Sequence, residues 1–190
     1  MIRQYIPLIL IAGLLSNEIN QSEKIIFQSA NPFSFYHIIT KNNQQEIQEV
    51  YGILRIPLHG PSEPLPLIIG INGSKNWADH HFEYLQMFRE IGFATFELYS
   101  FNSRNVKSTV GEQVSVTTAM MILDAYNALE KLSSDNRIDI KNVAIIGWSL
   151  GGGVALYSAW QPLINAIRPK ENFKAHLALY PPCLVDMEIK

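Results

Sequence analysis

Apolar residues along this chain recur with two different periods, and the alternation between them outlines an architecture. Residues 33–40 and 46–56 are rich in aromatic and β-branched side chains and flank the polar stretch 41–49, so they predict a β-hairpin. Residues 57–66 carry four prolines and predict a loop. Residues 65–71 form an unbroken apolar run, as expected for a strand buried on both faces, and it stops at the turn signal Asn72-Gly73-Ser74. Residues 80–91 place Phe82, Leu85 and Phe88 at helical spacing before Gly92, which closes the helix. Strand-like 93–99 follows, then 113–132, where the pattern Val116, Met120, Leu123, Leu129 and Leu132 predicts an amphipathic helix. A strand at 143–148, a helix at 150–167 and a strand at 174–180, stopped by Pro181-Pro182, complete the pattern.

The order is therefore β-β-β-α-β-α-β-α-β. It predicts an α/β fold, with an N-terminal antiparallel hairpin and a mostly parallel sheet covered by helices on both faces. In such sheets chemistry gathers at the carboxyl ends of the strands, which directs attention to the loops there.

The first residues change the picture at one end. Arg3, an uncharged apolar run over 8–15 and a polar continuation from Ser16 fit a secretory signal over 1–16, followed by a single domain over 17–190. The run is too short to span a bilayer as a helix. A cleaved signal implies a periplasmic or secreted protein; if the run instead packs on the domain, the protein is cytoplasmic.

Composition narrows the chemistry. The 190 residues are 47% hydrophobic and 17% charged, which excludes a disordered chain, and a formal charge of −2 offers nothing to attract nucleic acid. The single cysteine, Cys183, can build neither an internal disulfide nor a zinc site alone. No spacing of metal ligands and no dinucleotide fingerprint is present, so no cofactor is expected.

Between the strand at 143–148 and the helix from 150 lies Gly147-Trp148-Ser149-Leu150-Gly151, a G-x-S-x-G pattern in the strand–turn–helix setting of a nucleophile elbow. The turn lifts Ser149 Oγ clear of the sheet, and glycines at 147 and 151 let helix and strand approach closely. The N–H of Leu150 then points from a helix N-terminus towards a developing oxyanion. A second donor is expected from the loop after the third strand, and the N–H of Ser74 is the choice. The alternative is a glycine-rich turn whose serine merely caps the helix. Arg104 lies in a loop at the expected rim, where it could hold a substrate carboxylate or else brace the loop, for instance against Glu112. Trp148 could line an acyl pocket or pack beneath the elbow. Asp135, Arg137 and Asp139 fit turn and capping roles.

Several stretches in order resemble the dienelactone hydrolase branch of the α/β-hydrolases: Asn72-Gly73-Ser74, Gly92-Phe93-Ala94-Thr95-Phe96, Ser100-Phe101 with Arg104, and Ala119-Met120 with Asp124-Ala125-Tyr126. The likeness continues through Asp135-Asn136-Arg137-Ile138-Asp139, the Ser149 elbow and Ala178-Leu179-Tyr180-Pro181-Pro182-Cys183. It implies an esterase or lactonase taking a small ester substrate. The chain departs from that pattern in carrying Ser149 where the best-known members have cysteine. It also has Asn72 where relatives often have histidine.

A serine needs a base, and in this fold acid and histidine follow the nucleophile. The only later histidine, His176, falls inside a predicted strand with Glu171 five residues before it, and Asp186 and Glu188 have no histidine after them. His37 belongs to the predicted hairpin, His59 to the proline-rich loop, and His80 and His81 to a solvated helix start. The expectation is that the acid and the histidine are not in this chain, that the last strands of the sheet are missing, and that the chain alone is inactive. A serine peptidase or acyltransferase, or a binding module that has lost its base, remain alternatives.

Overall fold

The computed structural model describes residues 21–40, 46–57 and 63–182. The signal reading over 1–16, His59, Cys183, Asp186 and Glu188 lie outside them. Six strands, β1 (Gln21–Ala30), β2 (Ile47–Ile56), β3 (Leu65–Ile71), β4 (Ala94–Leu98), β5 (Ile138–Trp148) and β6 (Ala175–Leu179), form one sheet in the order β1-β2-β4-β3-β5-β6. Strands β4, β3, β5 and β6 run parallel, while β1 and β2 form the antiparallel end. Among the described residues β6 pairs with β5 alone.

The helices divide between the two faces. On one lie α1 (Phe35–Ile39), α3 (Thr118–Leu132), α4 (Leu150–Tyr157) and α5 (Gln161–Ile167); α2 (Asp79–Glu90) covers the other. The larger core joins Leu67, Ile69 and Ile71 of β3 with Met121, Ala125 and Leu129 of α3 and Val154 of α4. The smaller joins Ile68, Ile146 and Trp148 with Leu85 of α2. Strand β3 feeds both, which is why its sequence is apolar without alternation. Each fully buried Leu or Ile here contributes about 1.5–3 kcal/mol.

The antiparallel end differs from the hairpin expected at 33–40. That segment is helix α1, whose first turn is held by the Ser34 N–H donating to His37 Nδ1 at 3.2 Å. Phe35 packs on Tyr157 and Trp160, and Ile38 is buried. The partner of β2 is β1, in continuous register from Gln21↔Ile56 to Ala30↔Ile47. Three boundaries also move. Helix α3 starts only after Thr117, whose Oγ1 accepts from the Met120 N–H at 3.2 Å, so residues 113–117 are loop. The helix expected over 150–167 is two helices, because Pro162 cannot continue α4 and instead opens α5. Strand β5 begins at Ile138, five residues early, across a register shift opposite Leu65 and Leu67.

Register sets the level of the site. Ile71 pairs with Leu98 on one side and Gly147 on the other. Asn72, Tyr99 and Trp148 therefore stand side by side at the carboxyl edge, with Ser149 one residue beyond.

Candidate active site

Ser149 joins β5 to α4 with φ 53° and ψ −115°, a conformation that L side chains rarely adopt. Both ends of its backbone are tied down: its N–H donates to Leu179 O at 3.0 Å, and its carbonyl accepts from the Gly153 N–H at 3.0 Å. The side chain makes no capping bond to α4, and no hydrogen bond to Oγ occurs among the described residues. Ser149 is half-buried, so the hydroxyl is neither sealed in the core nor spent on the helix.

The glycines explain how so sharp a turn closes. A Cβ on Gly147 would lie 1.9 Å from Gly151 O, and one on Gly151 would lie 2.3 Å from Ile71 O. Neither contact is possible, so the elbow requires glycine at both positions.

The loop after β3 lies against this elbow. A Cβ at Gly73 would sit 3.6 Å from Ser149 Cβ and 3.1 Å from Trp148 O. The Asn76 N–H donates to Gly73 O at 2.9 Å and closes a tight turn with Ser74 at its second position. The Ser74 N–H has no partner among the described residues, and Leu150 opens α4, where an N–H lacks an intrahelical acceptor. The two expected donors thus lie on the two loops that meet beside Ser149.

Two other expected contacts fall elsewhere. Arg104 is no substrate clamp: its side chain is 6% exposed and all five of its N–H donors are engaged. It grips Asp124 with two bonds, of 2.7 and 3.1 Å, and also reaches Asn31 Oδ1, Ser100 O and Ala30 O. Glu112 instead accepts from the Val114 and Ser115 N–H groups. Bracing is the role the geometry supports, with Asp124 as the partner. Trp148 is fully buried in the α2-side core, its ring stacked on His81 at 4.5 Å, so it packs beneath the elbow and does not wall an open pocket.

His81 is the residue that sequence reasoning misjudged. It is buried, its Nδ1 accepts from the Ala78 N–H at 3.1 Å, and burial, aided by the neighbouring His80, holds its pKa down to about 4. The apolar i+4 neighbour Leu85 was the available signal that this helix position faces inward. His80 stays exposed, 3.3 Å from Tyr180 Oη. His176 lies mid-strand, its Nδ1 near Ala155 O at 2.9 Å and Ser158 Oγ at 3.0 Å, turned to the helix and not to the elbow. His37 sits in α1. Asp124 could have been flagged in advance, since a carboxylate between Ile122 and Ala125 on the buried side of α3 demands a cation. Asp135 pairs with Arg137 in the turn before β5, and Asp139 accepts from Lys141 N and Asn142 Nδ2, as their turn and capping reading anticipated. Among the described residues no cluster of ligands could hold a metal, and no helix is long and apolar enough to cross a membrane.

No protein-family profile and no curated protein matches the sequence. Solved structures do match. A candidate carboxylesterase from Lactobacillus plantarum superposes with a TM-score of 0.59 at 16% identity, covering 86% of this chain and 60% of that one. A candidate dienelactone hydrolase from Klebsiella pneumoniae gives a TM-score of 0.56 at 15% identity, covering 88% and 64%. A candidate dipeptidyl aminopeptidase IV from Bacteroides ovatus gives 0.51 at 14% identity over 74% of this chain and 19% of that one. At such identities the likeness establishes architecture: the chain has the α/β-hydrolase fold, a mixed six-stranded, mostly parallel sheet with helices on both faces. It spans less than two-thirds of the length of each of these structures.

Proposed function

We propose that this chain carries the nucleophile and oxyanion hole of a serine hydrolase acting on a small carboxylic ester or lactone, in the manner of the dienelactone hydrolases it resembles. The observation that supports this most is Ser149 itself, backbone-strained, half-buried, its Oγ unbonded, beside two N–H groups that lack partners. A serine kept only for packing or capping has no reason to hold that conformation.

In the proposed reaction Ser149 Oγ attacks the substrate carbonyl carbon as its proton passes to a histidine. The carbonyl oxygen takes the negative charge and is met by the Leu150 and Ser74 N–H groups. Loss of one such donor costs about 3–4 kcal/mol of transition-state stabilisation. Collapse of the tetrahedral species expels the alcohol, protonated by the same histidine, and leaves an acyl-serine. In a lactone the expelled alkoxide stays tethered to the acyl group. Water then attacks the acyl carbon, the histidine taking its proton and passing it to Ser149 Oγ as the acyl–oxygen bond breaks, which frees the acid and restores the serine. The histidine and its acid partner lie, in this proposal, outside the described residues, because His37, His80, His81 and His176 are engaged elsewhere. The signal-like residues 1–16 extend the proposal to a periplasmic or secreted enzyme.

The test is covalent labelling of the native gene product by a fluorophosphonate probe, followed by peptide mapping. Attachment at Ser149, lost in Ser149→Ala together with hydrolysis of a small aryl ester, is the expected result. Absence of labelling in the native gene product would favour a binding module that keeps the fold. Labelling of Ser149 with turnover of peptide amides but not esters would favour a peptidase.

A further inference from the structure

We propose that Asn72 is the positioning residue of the oxyanion hole, fixing the direction of the Ser74 N–H by holding the carbonyl of the same peptide unit. This rests on the reading of Ser149 and Ser74 given above. Asn72 ends the apolar run of β3 and is fully buried. Its Nδ2 donates to Gly73 O at 2.9 Å. Only the NH2 edge of the amide can face a carbonyl oxygen, so the chemistry fixes the orientation of the side chain.

The Gly73–Ser74 peptide is planar, so the direction of Gly73 O dictates the direction of the Ser74 N–H. That oxygen receives two donors, Asn72 Nδ2 and the Asn76 N–H, each at 2.9 Å. The next peptide is pinned as well: Ser74 O accepts from the Thr109 N–H at 2.9 Å and from Ser108 Oγ at 3.0 Å. Neither peptide can swing without breaking two bonds, and the Ser74 N–H between the two pinned carbonyls has no partner among the described residues.

A second observation separates this role from packing. Asn72 Oδ1 is enclosed with no partner among the described residues. A leucine or valine would continue the apolar run of β3 and leave no polar atom unpaired. A buried amide that satisfies one end and strands the other breaks the rules of a packed core, and such breaches concentrate at functional sites. Among the described residues the bond to Gly73 O is the one this side chain makes, and its effect falls on the loop that bears the donor.

The consequence is kinetic. A donor aimed at developing charge acts in the transition state, so its misalignment lowers kcat with little change in KM. In the native gene product, Asn72→Asp removes the donor in an isosteric side chain. It is expected to lower kcat on a small aryl ester about 10- to 100-fold with KM within about threefold. Fluorophosphonate labelling of Ser149 should slow in parallel. Asn72→His, which can present a ring N–H to the same carbonyl, should recover most of the lost kcat. If the aspartate variant does not fold, Asn72→Ala is read by the same split.

Ser149→Ala is measured alongside. If it retains hydrolysis and labelling, the underlying reading of Ser149 fails. If it is silent while Asn72→Asp keeps kcat within about threefold, the reading of Ser149 stands and the role of Asn72 is overturned. A rise in KM matching the fall in kcat, or no recovery in Asn72→His, overturns it too.

Discussion

Holding a residue with a Cβ at the backbone angles of Ser149 costs about 1–3 kcal/mol, and glycine escapes most of that cost. Alanine does not. The two substitutions therefore separate strain from chemistry: Ser149→Ala keeps the strain and Ser149→Gly relieves it, while both remove the hydroxyl. Glycine also stabilises the unfolded chain by about 0.4–1 kcal/mol relative to alanine, so in urea unfolding Ser149→Gly is expected to be about 0.5–2 kcal/mol more stable than Ser149→Ala. A higher midpoint for Ser149→Ala would mean that the turn is not strained. This residue was legible because G-x-S-x-G is local and each of its positions answers a steric demand within five residues. Arg104 was not, because its partners are scattered: Asn31 is 73 residues before it and Asp124 is 20 residues after it. Chain position puts Arg104 at the rim, and its buried partners take it away.

At the scale of elements, the same clamp holds together three pieces that the sequence lists separately. Arg104, ending the 3-10 turn Asn102–Arg104, reaches the carbonyl that ends β1 and the carboxylate on α3. It fastens the antiparallel edge to the helix that covers it. Removing one member strands a buried charge, so Arg104→Ala or Asp124→Ala is expected to cost about 3–5 kcal/mol, read as a fall in the urea midpoint. Replacing both by leucine or methionine should recover much of the loss, since no charge then stays unpaired. Equal damage from the double replacement would show that the hydrogen bonds to Asn31, Ser100 and Ala30 carry the effect. The elements themselves were legible where period and length agree, as in β3, α2 and β4. The 33–40 segment misled because the five residues of α1 are too few to distinguish a helix from a strand by period, and the aromatic and β-branched content of the segment favours strand. What decides it is tertiary, the packing of Phe35 on Tyr157 and Trp160. Strand β1 was hidden by its outward Ile26, which blurs the alternation of Ile25 and Phe27 with their polar neighbours.

For the whole molecule, the layering that the element order predicted brings β3, β4 and β5 to one edge and sets the loops around Ser149. What lay beyond the sequence is the partner that the inward face of α2 meets: the His81 ring stacks on Trp148 directly beneath the elbow. Global stability should carry the mark of that burial. The folded-state pKa of His81 is near 4 against an ordinary 6.5, so between those values the unfolded chain binds a proton that the folded chain refuses. Stability contributed by the neutral ring is complete above about pH 6.5 and declines as pH falls towards 4, by on the order of 3 kcal/mol. Asp135, whose carboxyl is held below its usual range by its hydrogen bonds to Arg137, loses its contribution in the same direction but only below its ordinary value of 3.8. Glu112, held low by the Val114 and Ser115 N–H groups, loses its contribution only as pH falls through its ordinary 4.5, so the fall from pH 6.5 to 4.5 is mostly the histidine's. Urea unfolding of the native protein across that window is expected to show a falling free energy. In His81→Gln, whose amide oxygen can still accept from the Ala78 N–H, the slope should flatten by most of that amount. An unchanged slope in the variant would mean that burial does not hold the His81 pKa below its ordinary value.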